Sequence, residues 1–166
     1  MEMIMAYKNV VMEDNYPNPL SRESFEKAEH LIGVEFPYPL YDLIKDYDKG
    51  APKDNAIKLI MPGGRYDVNG LGAFLSFDDT DSNYIVGAYL YKPEHQPQDE
   101  RFVPFGVTGN GDYFYFFYEN GKDDPQPKVY YWAHSYSEID GGLVFLANSF
   151  EEFLDMLKPD GYYPGG

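Results

Sequence analysis

Six aromatic side chains stand in a row from Tyr113 to Tyr118. They follow a Gly-Asn-Gly-Asp turn and an apolar run, Phe102-Val103-Pro104-Phe105. Few folds can accept such a row. In an extended strand, Tyr113, Tyr115 and Phe117 face one way, and Phe114, Phe116 and Tyr118 face the other. Both faces are apolar, so the strand must lie inside a sheet that is covered on both sides. Asn110-Gly111 suits a tight hairpin turn, because both residues tolerate a positive φ. The pattern therefore predicts strands over Phe102–Val107 and Asp112–Tyr118. Lys128–Ala133 extends the antiparallel run after the loop 119–125.

Helical spacing brackets this β-rich centre. Ser21 can cap a helix over 21–32 with Phe25, Ala28, Leu31 and Ile32 on its apolar stripe, and Gly33 can end it. Pro39 suits the start of a second helix that buries Leu40, Leu43, Ile44 and Tyr47, with Gly50 as its stop. Ser149 and Glu152 form a capping box for a last helix with Phe150, Phe153, Leu154 and Leu157 inside, ended by Pro159. Short strands are expected at Ile4–Val11, Ile57–Met61, Ala73–Phe77 and Leu143–Leu146. Asn83–Tyr91 reads as strand by composition, or as a helix capped by Asp81 or Ser82. Residues 92–101 read as a polar loop. The organisation is one domain over 21–158, an irregular lead-in over 1–20 and a mobile tail over 159–166.

Charge bounds the partners. Twenty-eight acidic residues face 13 basic ones, a formal net charge of −15. Such a field repels phosphate backbones and anionic membranes and favours a basic partner. The chain has no cysteine, so thiolate metal sites, disulfides and thiol nucleophiles are excluded. No segment approaches the ~18 apolar residues of a membrane span, and the first residues lack the basic flank of a signal peptide. The expected location is the cytoplasm.

Motifs for catalysis or metal binding fail on their spacing. His30, His95 and His134 form no ligand pair on a helix face. Asp79, Asp81 and Asn83 mimic the opening of a calcium loop, but Tyr84 replaces the required glycine and Leu90 the closing glutamate. Gly109-Asn110-Gly111 lacks a third glycine and leads into a strand, so no helix end is available for phosphate. Gly121-Lys122 precedes Asp123, which is not the Ser or Thr of a phosphate loop. No Gly-x-Ser-x-Gly elbow occurs. With 28 carboxylates, a chance pair at glycosidase spacing says little. A carboxylate-based hydrolase would need a deep cleft that holds a carboxyl of strongly raised pKa.

The blocks in their order do resemble a known family. They are Gly33-Val34-Glu35-Phe36-Pro37-Tyr38-Pro39-Leu40-Tyr41, then Phe74-Leu75-Ser76-Phe77, Val103-Pro104-Phe105-Gly106 and Gly109-Asn110-Gly111-Asp112-Tyr113-Phe114. Val129-Tyr130-Tyr131-Trp132 with His134 and Ser149-Phe150-Glu151-Glu152-Phe153-Leu154 complete the set. Over roughly 21–158 the chain is similar to the SUKH superfamily, which includes the Smi/Knr cell-wall regulators of fungi and many bacterial immunity proteins. Asp48-Lys49-Gly50-Ala51 stands where that family usually shows Asn-Gly-Gly. The resemblance implies an α+β domain, a mixed, mainly antiparallel sheet with helices packed on it.

The resemblance also implies a non-enzymatic, protein-binding role with no cofactor or metal. The expected function is a cytoplasmic immunity protein that binds and neutralises a cognate basic toxin domain, many such toxins being nucleases. The alternative is a regulatory or scaffold module like the fungal relatives. Acidic residues at turns are the candidate contacts: Asp78, Asp79, Asp81, Asp112, Glu119, Asp123 and Asp124. Edge strands and abundant tyrosine leave a homodimer open.

Overall fold

The computed structural model describes residues 10–13 and 16–164. The expected strand Ile4–Val11 falls almost wholly outside them. Helix α1 (Arg22–Ile32) starts where the Ser21 hydroxyl accepts the Ser24 N–H at 3.1 Å. Phe25, Ala28 and Ile32 are buried, but Leu31 is 48% exposed. Six residues past Phe25, Leu31 has turned about 120° from it around the helix and leaves the buried stripe. Helix α2 (Tyr38–Ile44) buries Leu40, Leu43 and Ile44. It stops well before Gly50, because residues 18–20 pair with the segment that follows. Leu20 N–H donates to the Lys45 carbonyl at 2.7 Å, and Asn18 N–H to that of Asp46 at 2.9 Å. Lys49, within the segment that departs from the family's Asn-Gly-Gly, adopts a left-handed φ of 54°.

Two antiparallel sheets follow. The smaller is the hairpin of β1 (Ala56–Ile60) and β2 (Tyr66–Gly70). The larger has the order β3-β4-β5-β6-β7. Its strands are β3 (Ala73–Phe74), β4 (Phe102–Val107), β5 (Tyr113–Phe117), β6 (Lys128–Trp132) and β7 (Leu143–Ala147). Every strand pair within the two sheets is antiparallel. The parallel pairings among the described residues are isolated bridges, Asn18–Tyr47 and Ser76–Tyr84. That second bridge shortens β3 relative to the expected Ala73–Phe77, since Ser76 binds Asn83 and Ile85 through its backbone. The ambiguous segment becomes helix α3 (Ile85–Leu90), and neither Asp81 nor Ser82 caps it.

The aromatic row occupies β5, the middle strand, as its two-sided pattern requires. Phe114, Phe116 and Tyr118 enter the main core beneath the helices, where Phe116 meets Phe36 and Phe150, and Phe114 meets Phe153. Helix α4 (Phe150–Met156) delivers Phe150 and Phe153, and the Ser149 hydroxyl accepts the Glu152 N–H at 3.1 Å. On the opposite face, Phe102, Tyr115 and Trp132 form a second buried cluster. The polar loop 92–101 covers it: the Tyr115 hydroxyl donates to Gln96 Oε1 at 2.5 Å, and His95 lies 5.3 Å from Trp132. The Lys92 amine, pushed down to about 8 by burial, donates to the Phe102 carbonyl.

The β4–β5 connection is one residue longer than the expected strands, Phe102–Val107 and Asp112–Tyr118, leave for it. Val107 pairs with Tyr113, so the loop holds five residues, Thr108–Asp112. Among them only Gly111 has a positive φ, 93°. Thr108 N–H closes the loop on the Asp112 carbonyl at 3.0 Å.

Candidate partner-binding surface

The candidate acids fall on two loops and one buried position. Asp78, Asp79 and Asp81 lie between β3 and α3. Glu119, Asp123 and Asp124 lie between β5 and β6. Most are already engaged. Asp79 pairs with Lys27 at 3.1 Å, Asp81 with Lys49 at 2.7 Å and Glu119 with Lys128 at 2.7 Å. The bond from Lys49 is the main reason the Asp81 carboxyl sits below its ordinary range. Asp78 is held low by the N–H and hydroxyl of Thr80. Asp124 accepts the Gln126 N–H at 2.9 Å. Asp123 is exposed and makes no ion pair among the described residues. A partner must compete with these lysines, although exposed pairs hold by only about 0–1 kcal/mol each.

Asp112 is a correction to the expected surface set. It is 3% exposed and faces inward. Its carboxylate accepts the His134 backbone N–H at 2.9 Å, contacts His134 Nδ1 at 2.5 Å and accepts the Tyr131 hydroxyl. Tyr131 in turn accepts from Asn69 Nδ2 at 2.7 Å. Asp112 thus ties the hairpin loop to the end of β6 and to β2. Its acidity and turn position suggested exposure, but three donors surround it.

A groove of about 630 Å³ escaped the sequence reading. It lies between α1, the segment leading into α2, residues 125–126 of the β5–β6 loop and the start of α4. Phe25 and Phe36 form its floor, with Tyr41 edge-on to Phe25 at 5.2 Å. Tyr38, 76% exposed, stands at the rim. Five carboxylates line it, Glu26, Glu29, Glu35, Asp42 and Glu151, against one cation, Arg22. Asp42 reaches Lys45 at 3.9 Å. The other four form no ion pair among the described residues. The Arg22 guanidinium rests over the Tyr41 ring, 4.7 Å from its centroid.

Glu29 is held above its ordinary range in this groove. Burial pushes its carboxyl up, the Phe36 N–H opposes that, and Glu35 and Glu26 add repulsion. Its Oε2 accepts the Phe36 N–H at 2.8 Å and so fixes the turn between α1 and α2. A cleft with a raised carboxyl is the feature a hydrolase would need. Here one oxygen of that carboxyl is committed to the Phe36 backbone N–H, where it holds the turn between α1 and α2.

The SMI1 / KNR4 family (SUKH-1) model matches residues 19–156. The chain belongs to the SMI1/KNR4 family. No curated protein matches it. SUKH-1 domains are generally non-catalytic and act through protein–protein contacts. Both the groove and all seven candidate acids lie inside the matched span. Among the described residues of this SUKH-1 domain, no helix is long and apolar enough to cross a membrane. The groove left one trace in the sequence, the Pro37-Tyr38-Pro39 segment beside Glu35. Tyr38 faces outward there, although the two prolines flanking it are buried.

Proposed function

We propose that this SUKH-1 domain is a bacterial, cytoplasmic immunity protein that binds a cognate toxin domain and blocks it without chemistry of its own. The observation that carries the reading is the excess of carboxylates without a cationic partner around an aromatic groove, on a chain of net charge −15. A surface of this kind complements a basic protein, and nucleases are basic because they must attract phosphate. The loops bearing Asp78, Asp79 and Asp81, and Glu119, Asp123 and Asp124, would extend the same complementarity.

The test is neutralisation of a toxin domain, sought among the genes that flank this one. Co-expression should restore growth, and the two proteins should co-purify as a stable complex. Failure to bind that domain, together with substrate turnover lost in Glu29→Gln, would replace the binding reading with a hydrolytic one. The family's Smi/Knr regulators favour a second reading, a scaffold or regulatory module. That reading predicts binding to a non-toxin partner and no protection against the neighbouring toxin.

A further inference from the structure

We infer that the groove between α1, α2, the β5–β6 loop and α4 receives an arginine side chain, carried on an exposed segment of the basic partner. The inference rests on the proposed function and names the recognising surface and its ligand chemistry. Three features converge on arginine.

The first is charge. Glu26 and Glu29 on α1, Glu35 before α2 and Glu151 on α4 surround the groove from three elements. None has an ion-pair partner among the described residues. Like charges held together in this way gain from any cation placed among them, more so where a carboxylate is half out of water.

The second is shape and surface. Exposed Tyr38 and half-buried Tyr41 stand beside the carboxylates, over a floor of buried Phe25 and Phe36. A guanidinium is planar and weakly hydrated, so it can stack on a ring while its edge bonds a carboxylate. An ammonium is compact and strongly hydrated and does this less well.

The third is a guanidinium already seated there. Arg22, from the first turn of α1, lies 4.7 Å over the Tyr41 ring inside the same groove. The chain's own side chain shows that this wall accepts the group. One arginine against five carboxylates leaves the groove short of positive charge.

The experiment is a backbone-amide NMR titration of the intact chain with N-acetyl-arginine amide, N-acetyl-lysine amide as comparison. The expected result is saturable shifts confined to residues 25–42, 125–126 and 149–151, with the lysine probe weaker by about two- to fivefold. Tyr38→Ala and Glu35→Gln, both at exposed positions, should each weaken the arginine probe. Glu94→Gln, an equal charge change on the loop 92–101, should not. Shifts spread over the whole acidic exterior, or centred on Asp78–Asp81, would overturn the inference, as would equal binding of the two probes.

The same variants separate this inference from the function beneath it. Toxin neutralisation that survives Tyr38→Ala with Glu35→Gln refutes the groove and leaves the immunity reading standing. Groove-specific arginine binding by a protein that does not bind the toxin refutes the immunity reading alone.

Discussion

Two acids show how differently one residue type behaves once its surroundings are fixed. Asp112 is enclosed by His134 and Tyr131 and acts as a strut. Asp112→Ala would strand the His134 N–H and the Tyr131 hydroxyl, so a loss of about 3 kcal/mol is expected in denaturant unfolding. The folded fraction should still bind its partner, and a stable but non-binding variant would return Asp112 to the contact surface. Glu29 behaves in the opposite way. Its folded carboxyl sits above the ordinary 4.5 because burial disfavours the anion. The stability it contributes is complete below that value and is lost as pH rises through the folded pKa. Glu29→Gln removes this dependence, and its amide oxygen can still accept the Phe36 N–H. The variant should therefore gain on the parent between pH 4 and pH 7, by under about 1 kcal/mol, since half the group is still in water. Equal stability differences at both pH values would show that Glu29 titrates normally. Neither behaviour was legible in the sequence: Glu29 answers to burial and to a Phe36 N–H that only the folded turn between α1 and α2 aims at it, and Asp112 to residues far along the chain. Asp112 meets its donors 19 and 22 positions later.

At the scale of elements, sequence signals succeeded where the cause is local. The Ser21 and Ser149 caps, the Gly33 stop and the alternation along β5 involve residues within a few positions of one another. They failed where a distant segment competed. Pairing with residues 18–20 truncated α2, and the Ser76–Tyr84 bridge truncated β3. Strand β2, Tyr-Asp-Val-Asn-Gly, has weak strand composition and forms by pairing along β1 across the Gly63-Gly64 turn. The Pro-Phe-Gly block has a packing cause that appears only in three dimensions. A bulge at Phe105 shifts the register between Pro104 and Gly106, and a Cβ on Gly106 would come within 2.6 Å of Leu71 Cδ1. Leu71 is fully buried, so moving its Cδ1 aside means repacking the core around it. Gly106→Ala should therefore cost about 1–3 kcal/mol through overpacking. Gly109, three residues on, has open space and no positive φ. Gly109→Ala should be neutral or stabilise slightly by restricting the unfolded chain. Thermal unfolding of the two variants checks the contrast, and similar losses in both would refute the close approach at Leu71.

For the whole molecule, the charge of −15 makes opposite demands on folding and on binding. Like charges crowded on one compact surface repel, so the isolated domain is strained by its own field. The same field draws a basic partner in from solution and accelerates encounter. Salt acts on both through one length, about 30 Å of screening distance at 0.01 M falling to about 8 Å at 0.15 M. Over that range the field beyond the surface collapses, while the bonds inside the buried Asp112 cluster are little affected. Raising salt should therefore raise the unfolding temperature of the free protein and, at the same time, slow its association with a basic partner by about tenfold or more. Dissociation should change far less, because the groove's short-range contacts are screened least. Stopped-flow association and thermal unfolding in one salt series read both signs together. A partner that associates equally fast at 0.01 M and 0.5 M salt would mean that the acids serve solubility alone and that recognition lies in the apolar contacts.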